Sequence, residues 1–160
     1  MDHIMSHGRM EYLRCIKPEG CIFCKESIRD DSLVLFEGNY CYIILNKYPY
    51  NSGHILVVPF RHISKLEDMF MEEKLEMIGL MDTSIRILKE VMNPEGFNIG
   101  MNIGKAGGAG VESHIHLHIV PRWPGDTNFA TVLGETRVIP EKVEETRDTL
   151  LPFFQKNKEA

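Results

Sequence analysis

The sequence predicts an α+β domain in which short strands accompany one long helix, and a second helix lies near the C-terminus. Apolar residues alternate with polar ones over several short segments, and they recur every three or four residues over residues 66–92. At 160 residues and 43% apolar composition, the chain is long enough for the core of one domain but not comfortably for two. We therefore expect a single domain over residues 21–160, preceded by a flexible N-terminal arm over residues 1–20.

The first predicted strands form a hairpin. Residues 33–36 and 40–45 are rich in β-branched and aromatic side chains, and Gly38 and Asn39 between them suit a tight turn. Residues 46–53 contain proline, glycine and asparagine and predict a loop. A third strand is expected over residues 54–58 and should end at the proline that follows.

The long helix is predicted over residues 66–92 and should end before Pro94 and Gly96. We interpret its apolar stripe as core packing rather than as an adaptable methionine-rich binding face. The stripe consists of Met69, Phe70, Met77, Ile78, Met81, Ile85, Leu88 and Met92. The final helix is expected after Pro140, with Val143, Leu150 and Leu151 on its apolar side.

Two further strands are predicted between the helices. Residues 97–104 alternate apolar side chains with asparagine and glycine, so one strand face is nearly bare and lets a ligand or a second backbone come close. Residues 105–111 form a glycine-rich loop, and residues 113–120 alternate again until Pro121. The loop glycines, Gly107, Gly108 and Gly110, could offer backbone N–H groups to an anion, although an ordinary turn is the simpler interpretation.

Composition argues against several kinds of partner. The formal net charge is -5 and the 18 lysines and arginines are scattered, so no basic stripe predicts nucleic-acid binding. No apolar run reaches the roughly 20 residues of a membrane span, and residues 1–11 are polar rather than typical of a signal peptide. We expect a cytoplasmic protein with no membrane partner and reduced thiols, in which Cys21 and Cys24 have a spacing suited to metal.

Histidines at alternate positions carry the candidate chemistry. On a strand, His114, His116 and His118 would share one face while the apolar residues between them fill the other. Such a row could also be a three-histidine metal site or a polar strand face, but neighbours about 7 Å apart suit two ligands of a tetrahedral ion better than three. Neutral imidazole is a nucleophile near pH 7 and can divide one displacement at phosphorus into two. His116, flanked by two proton-sharing neighbours, is the candidate nucleophile.

The run SHIHLHIVPR at residues 113–122 strongly resembles the signature of the histidine triad (HIT) nucleotide hydrolases and transferases. The resemblance extends through CIFC at 21–24, residues 46–54, LVVP at 56–59 and RHI at 61–63, and covers residues 21–123. Residues 48–51, 96–104 and 122–129 are similar to the bacterial and archaeal branch of diadenosine tetraphosphate phosphorylases and hydrolases. This resemblance implies a dimer of α+β subunits, each with an antiparallel sheet.

The resemblance also implies roles for individual residues. His116 would attack the α-phosphate of a nucleotide, His54 and His114 would support it, and His118 would face the phosphate and the leaving group. Substrate-binding positions would be Asn46, Ile22, Phe23, Ile44, Leu45, Asn102, Gly110 and Val111. Within that set, Ile22, Phe23, Ile44 and Leu45 are equally well explained as core. Val111 stands where many relatives place serine or threonine, and this difference favours dinucleoside polyphosphates over simple phosphoramidates.

Some family members also bind zinc, and the matching residues here are Cys21, Cys24, His62 and His114. Two thiolates and two imidazoles form a closed tetrahedral shell, so the zinc would be structural. No organic cofactor is expected. The leading hypothesis is an enzyme that cleaves adenine dinucleotides such as diadenosine tetraphosphate, with water or phosphate as acceptor. The alternatives are an adenosine 5′-phosphoramidate hydrolase, a nucleotide-binding module without catalysis, and a three-histidine metalloenzyme.

Overall fold

The computed structural model describes residues 20–28, 32–127 and 141–157. Most of the predicted N-terminal arm and Pro140 lie outside these ranges. The strands are β1 (Val34–Glu37), β2 (Cys41–Leu45), β3 (Ile55–Pro59), β4 (Gly96–Gly100) and β5 (Leu117–Arg122). The helices are α1 (Lys25–Ile28), α2 (Met71–Met92) and α3 (Val143–Lys156), with a 3-10 turn at Leu66–Asp68. Within the described ranges, no helix combines the length and apolar character needed to cross a membrane.

The five strands form one sheet in the order β1-β2-β3-β5-β4, and every neighbouring pair is antiparallel. α2 packs on β2, β3 and β5, and α3 packs on α2 and β1. The predicted α+β fold with an antiparallel sheet, one long helix and one C-terminal helix is therefore confirmed.

Strand register separates the two faces of the sheet, because directly paired residues share a face. Ile44 pairs with Leu56, and Leu56 pairs with His118, so these three side chains lie on one face. Leu45 and Ile55 lie on the other face, which packs against α2. His118 thus lies on the face that α2 does not cover.

The long helix begins at Met71, five residues later than predicted. Phe70 has an extended backbone, and its N–H donates to Glu73 Oε2 at 2.7 Å, which starts the helix at the next residue. Asn93 adopts a left-handed conformation (φ 47°) and ends it. Core packing is correct for Met77 and Leu88 but wrong for two members of the predicted stripe, Phe70 and Ile78, which are 60% and 55% exposed.

Strand boundaries also differ from the predictions around prolines and around the histidines. β3 includes Pro59. β5 continues through Pro121, which lies beyond the last residue that pairs with β3, and on that side of the strand a residue without an N–H group is tolerated. β4 ends at Gly100, and β5 begins only at Leu117. Before Leu117 the backbone bonds elsewhere, since the Ile115 N–H donates to the Ile63 carbonyl at 2.7 Å. The expectation that all three alternate histidines lie on one strand is therefore wrong.

Candidate active site

His116 lies just before β5 and is 5% exposed. Its Nδ1 is 2.8 Å from the backbone carbonyl oxygen of His114. A carbonyl oxygen only accepts hydrogen bonds, so Nδ1 carries the hydrogen and the lone pair of the neutral ring lies on Nε2. Burial lowers the pKa of His116 below its ordinary value, which favours an unprotonated Nε2 at neutral pH.

His54 and His118 are joined by a hydrogen bond whose direction can be assigned. The Tyr50 N–H donates to His54 Nδ1 at 3.0 Å, so the His54 hydrogen lies on Nε2. That Nε2 lies 2.9 Å from His118 Nδ1 and donates to it, which leaves the hydrogen of His118 on its own Nε2. The family resemblance implies that His54 supports His116, and in the structure its hydrogen bond is to His118.

The Nε2–H of His118 is the unused donor of this pair. The atom is buried, and no acceptor among the described residues lies within hydrogen-bonding distance. Its ring centre is 4.8 Å from that of His116. Burial, with a smaller contribution from His116, lowers the pKa of His118 to about 4. A neutral imidazole thus presents a hydrogen-bond donor next to the nucleophilic ring, where a phosphate or leaving-group oxygen could accept it.

His114 is oriented differently from the other two histidines of the motif. Its Nε2 is 2.8 Å from the Pro59 carbonyl and therefore carries the hydrogen. The Nδ1 lone pair is 3.3 Å from Cys21 Sγ and 4.0 Å from Cys24 Sγ. The side chain of His114 thus faces the thiols, while its backbone carbonyl bonds His116.

A compact group of metal-binding atoms surrounds His114. One ligand atom from each of Cys21, Cys24, His62 and His114 lies within 4.8 Å of the others, and His62 Nδ1 is 3.3 Å from Cys24 Sγ. Ligands of a tetrahedral zinc ion are separated by roughly 3.3–3.8 Å, given zinc bonds of about 2.0–2.3 Å. Two thiols and two imidazoles therefore fit a zinc ion after small adjustments. The three motif histidines point in different directions and do not converge in this way.

The predicted nucleoside-binding residues fall into two groups. Asn46 lies beside the histidines, with Nδ2 3.3 Å from His54 Nδ1 and Oδ1 accepting the Tyr48 N–H at 3.0 Å. The Phe23 ring centre is 4.9 Å from that of His116. Ile44 shares the sheet face of His118, but Leu45 packs on the α2 side, so the structure does not bring Leu45 to the site.

Ile22 is 39% exposed and lies next to Phe23 in the chain. Asn102 is half-buried just after β4, Gly110 is exposed, and Val111 packs against the core near the start of the histidine segment. The structure therefore places Asn102, Gly110 and Val111 in the connection between β4 and the histidines, while Ile22 lies in the N-terminal segment.

The glycine loop before the histidines forms its own turn, as the simpler of the two sequence interpretations expects. The Gly107 N–H donates to the Gly104 carbonyl at 3.2 Å, and the Gly108 N–H donates to the Lys105 carbonyl at 3.0 Å. A Cβ atom on Gly107 would lie 2.4 Å from the Ile103 carbonyl oxygen, so the tight turn itself requires glycine. The suggestion that these two N–H groups are available to an anion is therefore wrong.

Tyr50, Asn51, Arg122 and Asp126 were given no role by the sequence analysis. Tyr50 bonds His54, and Asn51 Nδ2 donates to Asp126 Oδ2 at 2.8 Å. These residues lie within two segments that mark the family branch, but a side-chain contact over 75 positions has no local sequence signal. Their proximity emerges only from the fold.

The family model of the HIT domain matches residues 28–125. The chain belongs to the HIT family. It is 44% identical over 121 residues to a Mycobacterium tuberculosis protein named AP-4-A phosphorylase, a match that covers 76% of this chain and 62% of that relative. This HIT chain thus spans about three fifths of the length of that relative.

Two further comparisons agree with this family. An uncharacterized HIT-like protein of Methanocaldococcus jannaschii is 35% identical over 66% of this chain and 81% of its own length. A crystal structure of a Zn-bound histidine triad family protein from Mycobacterium smegmatis has a TM-score of 0.69 and 30% identity, and covers 88% of this chain and 96% of its own.

Proposed function

We propose that this HIT protein cleaves dinucleoside polyphosphates of the diadenosine tetraphosphate type through a nucleotidyl-histidine intermediate. The observation that carries the proposal is the opposite orientation of two neighbouring rings, with the lone pair of His116 on Nε2 and the hydrogen of His118 on Nε2. One ring can attack phosphorus while the other donates a hydrogen bond to the oxygen that leaves, which departs as a phosphate anion and needs no proton at neutral pH. The name of the M. tuberculosis relative supports the choice of substrate.

In the first step, the Nε2 lone pair of His116 forms a bond to the α-phosphorus, and the bond from that phosphorus to the bridging oxygen breaks. For diadenosine tetraphosphate the leaving group is ATP. The Nε2–H of His118 donates to the departing oxygen, while the hydrogen bond from His54 to the opposite nitrogen holds the ring in place. Asn46, Phe23 and Ile44 are the residues we place around the nucleoside.

In the second step, an acceptor attacks the nucleotidyl-histidine and restores His116. Water gives AMP, and inorganic phosphate gives ADP. Val111 provides no hydroxyl near the histidine segment, so adenosine 5′-phosphoramidate should be the poorer substrate. His114 contributes its carbonyl to the nucleophile and its imidazole to the group of metal-binding residues.

We further propose that Cys21, Cys24, His62 and His114 hold a structural zinc ion. The fit of the donor set and the Zn-bound M. smegmatis relative support this assignment. The bound ion would tie the segment around Cys21 to the segment that carries the histidines and would leave the chemistry to the imidazoles. The cytoplasmic location and the N-terminal boundary at residue 21 stay predictions.

A homodimer is the proposed assembly. β4 is an edge strand of the sheet. Ile99 in β4 and Ile103 three residues after its end are 43% and 49% exposed. An exposed apolar edge strand favours pairing with a second copy. Sedimentation equilibrium should give twice the chain mass, and Ile99→Lys should shift the equilibrium to monomer. A wild-type monomer at micromolar concentration would contradict the proposal.

The decisive experiment for function uses His116→Asn and diadenosine tetraphosphate, with and without inorganic phosphate. The wild type should release ATP together with ADP or AMP, and the second product identifies the acceptor. His116→Asn should release none of these products while still binding AMP. His7→Asn, at a histidine with no assigned role, serves as the matched control.

Wild-type turnover that persists in His116→Asn would contradict the assigned nucleophile. Preference for adenosine 5′-phosphoramidate would favour the phosphoramidase alternative. Nucleotide binding without any product would favour a binding module.

A further inference from the structure

Two stretches that mark the family branch, one in the loop before β3 and one after β5, meet at Asn51. The Asn51 side chain is buried, and its Nδ2 donates to the Pro121 carbonyl at 3.0 Å and to Asp126 Oδ2 at 2.8 Å. Both amide hydrogens are therefore used, and both bonds tie the loop to the end of β5.

Asp126 is in turn held in a fixed orientation. Arg122 donates from Nε and from a terminal nitrogen to the two carboxylate oxygens, each at 2.7 Å, and the Trp123 N–H lies 3.3 Å from Oδ2. A two-point contact between guanidinium and carboxylate fixes direction as well as distance. Arg122 also donates to Asn98 in β4, so the arrangement is anchored on two strands of the sheet.

The loop held in this way carries the residue that orients His54. Tyr50 directly precedes Asn51, and its N–H donates to His54 Nδ1 at 3.0 Å. The backbone carbonyl of Asn51 accepts a hydrogen bond from the backbone N–H of His54 at 3.2 Å. The Tyr50 ring lies 4.7 Å from the ring of His54 and 5.8 Å from that of His118, to which it is nearly parallel at 16°. Asn46 Nδ2 also faces His54 Nδ1, but at the longer distance of 3.3 Å.

The hydrogen bond from the Tyr50 N–H to His54 Nδ1 decides which nitrogen of His118 is the donor. If His54 carried its hydrogen on Nδ1, two N–H groups would oppose each other at Tyr50 and Nε2 would become an acceptor. His118 would then donate from Nδ1 and present a lone pair instead of a hydrogen at Nε2. A loop displaced from His54 therefore removes the hydrogen-bond donor at His118 Nε2 without touching either ring.

We propose that Asn51, Asp126 and Arg122 form a positioning clamp that holds the Tyr50 N–H on His54 and thereby keeps the hydrogen of His118 on Nε2, where it can donate a hydrogen bond to the leaving oxygen. The proposal rests on the function proposed above, because it assigns that hydrogen to the leaving group. The clamp residues act through Tyr50, His54 and His118, so they are positioning residues.

The test replaces Asn51 by leucine, which keeps similar volume and removes both N–H donors. We expect kcat for diadenosine tetraphosphate to fall roughly tenfold or more while KM changes less than about twofold, because orientation is lost and nucleoside contacts remain. Asn157→Leu is the matched control: it removes one amide-to-carbonyl bond near the end of α3 and should leave kcat unchanged. An unchanged kcat in Asn51→Leu would overturn the clamp.

A double-mutant cycle separates positioning from general loss of structure. In a His54→Ala background the clamp has nothing to orient, so Asn51→Leu should lower kcat by less than about twofold. A purely structural role for Asn51 predicts the same loss in both backgrounds, and that result would refute the proposal. Asp126→Asn provides a second variant of nearly unchanged shape if Asn51→Leu does not fold, with Asp82→Asn on the exposed side of α2 as its control.

A readout that needs no substrate is the ¹⁵N NMR spectrum of the imidazole rings at neutral pH. In the wild type, His54 and His118 should both carry the hydrogen on Nε2, and Asn51→Leu or Asp126→Asn should give a mixture of tautomers. Unaltered tautomers in both variants would overturn the clamp. If wild-type protein cleaves no dinucleoside polyphosphate, the proposed function fails, while this spectrum still decides whether the clamp orients the rings.

Discussion

At the scale of single residues, the hydrogen-bond partner of one imidazole nitrogen determines what the other nitrogen can do. His114 and His116 both donate to backbone carbonyls, but His114 does so from Nε2 and His116 from Nδ1. One lone pair therefore faces the cysteines and the other is available to substrate. Spacing in the sequence predicted a nucleophilic histidine, and the family resemblance gave its two neighbours unequal roles. Neither predicted these orientations, because the ring directions depend on carbonyl groups that only the fold brings near.

The assigned hydrogen-bond donor can be tested at the same scale. His118→Leu removes the Nε2–H that faces the leaving oxygen, so kcat for diadenosine tetraphosphate should fall by about 10²–10³-fold. An adenylate ester of a strongly acidic phenol needs little stabilisation of its departing oxygen and should show a much smaller loss. Steady-state kinetics on both substrates checks this prediction. Equal losses on the two substrates would mean that His118 acts in some way other than as the donor to the leaving group.

At the scale of elements, local patterns predicted the hairpin and both main helices, while distant contacts explain how these elements end. The β1–β2 turn was expected from Gly38 and Asn39. It is completed by Glu76 of α2, whose carboxylate accepts the N–H groups of Asn39, Tyr40 and Cys41 at 2.8, 2.6 and 2.6 Å. A helix residue more than 30 positions away leaves no mark on the turn's own sequence, so this part could not be predicted.

Two glycines should respond in opposite directions to alanine. Gly53 has φ +75°, and a Cβ there would lie 2.8 Å from Met92 Sδ and 3.1 Å from Pro121 Cγ, so Gly53→Ala should lower the free energy of unfolding by about 1–3 kcal/mol. Gly79 lies within α2 with open space around it, and Gly79→Ala should raise the free energy by about 0.5–1 kcal/mol. Urea denaturation measures both, and a tolerated Gly53→Ala would contradict the packing described for this loop.

At the scale of the whole molecule, the sequence predicted the fold class but not the strand order that builds the site. β5 lies between β3 and β4, and this arrangement brings His54 at the start of β3 next to His118 in β5. It also places residues 51 and 126 in contact. Periodicity reports which residues are buried but not which strands are neighbours, so neither contact could be predicted from the sequence.

Loss of the proposed zinc should affect the stability of the whole domain. Protein prepared with zinc should contain one ion per chain, and a strong chelator should lower Tm by several degrees, because an ion that binds only the folded state adds to its stability. His62→Ala removes an exposed ligand and should weaken zinc binding, with His7→Ala as control. Elemental analysis and thermal denaturation are the measurements. A metal-free wild type with a Tm insensitive to chelator would refute the zinc assignment.

Acid should weaken the folded domain before its carboxylates titrate. The pKa of His118 is about 4 in the folded protein and close to 6.5 in an unfolded chain. Between these values the unfolded chain binds the proton and the folded domain does not, so stability falls as pH decreases through this window and the contribution of His118 levels off below it.

Each pKa unit corresponds to about 1.4 kcal/mol, so the loss from His118 is on the order of 3 kcal/mol. The free energy of unfolding, measured by urea denaturation at several pH values, should rise between pH 4 and 6.5. In His118→Gln that slope should be smaller by up to one proton, because glutamine does not titrate. An unchanged slope would show that burial does not lower the pKa of His118 in the folded protein.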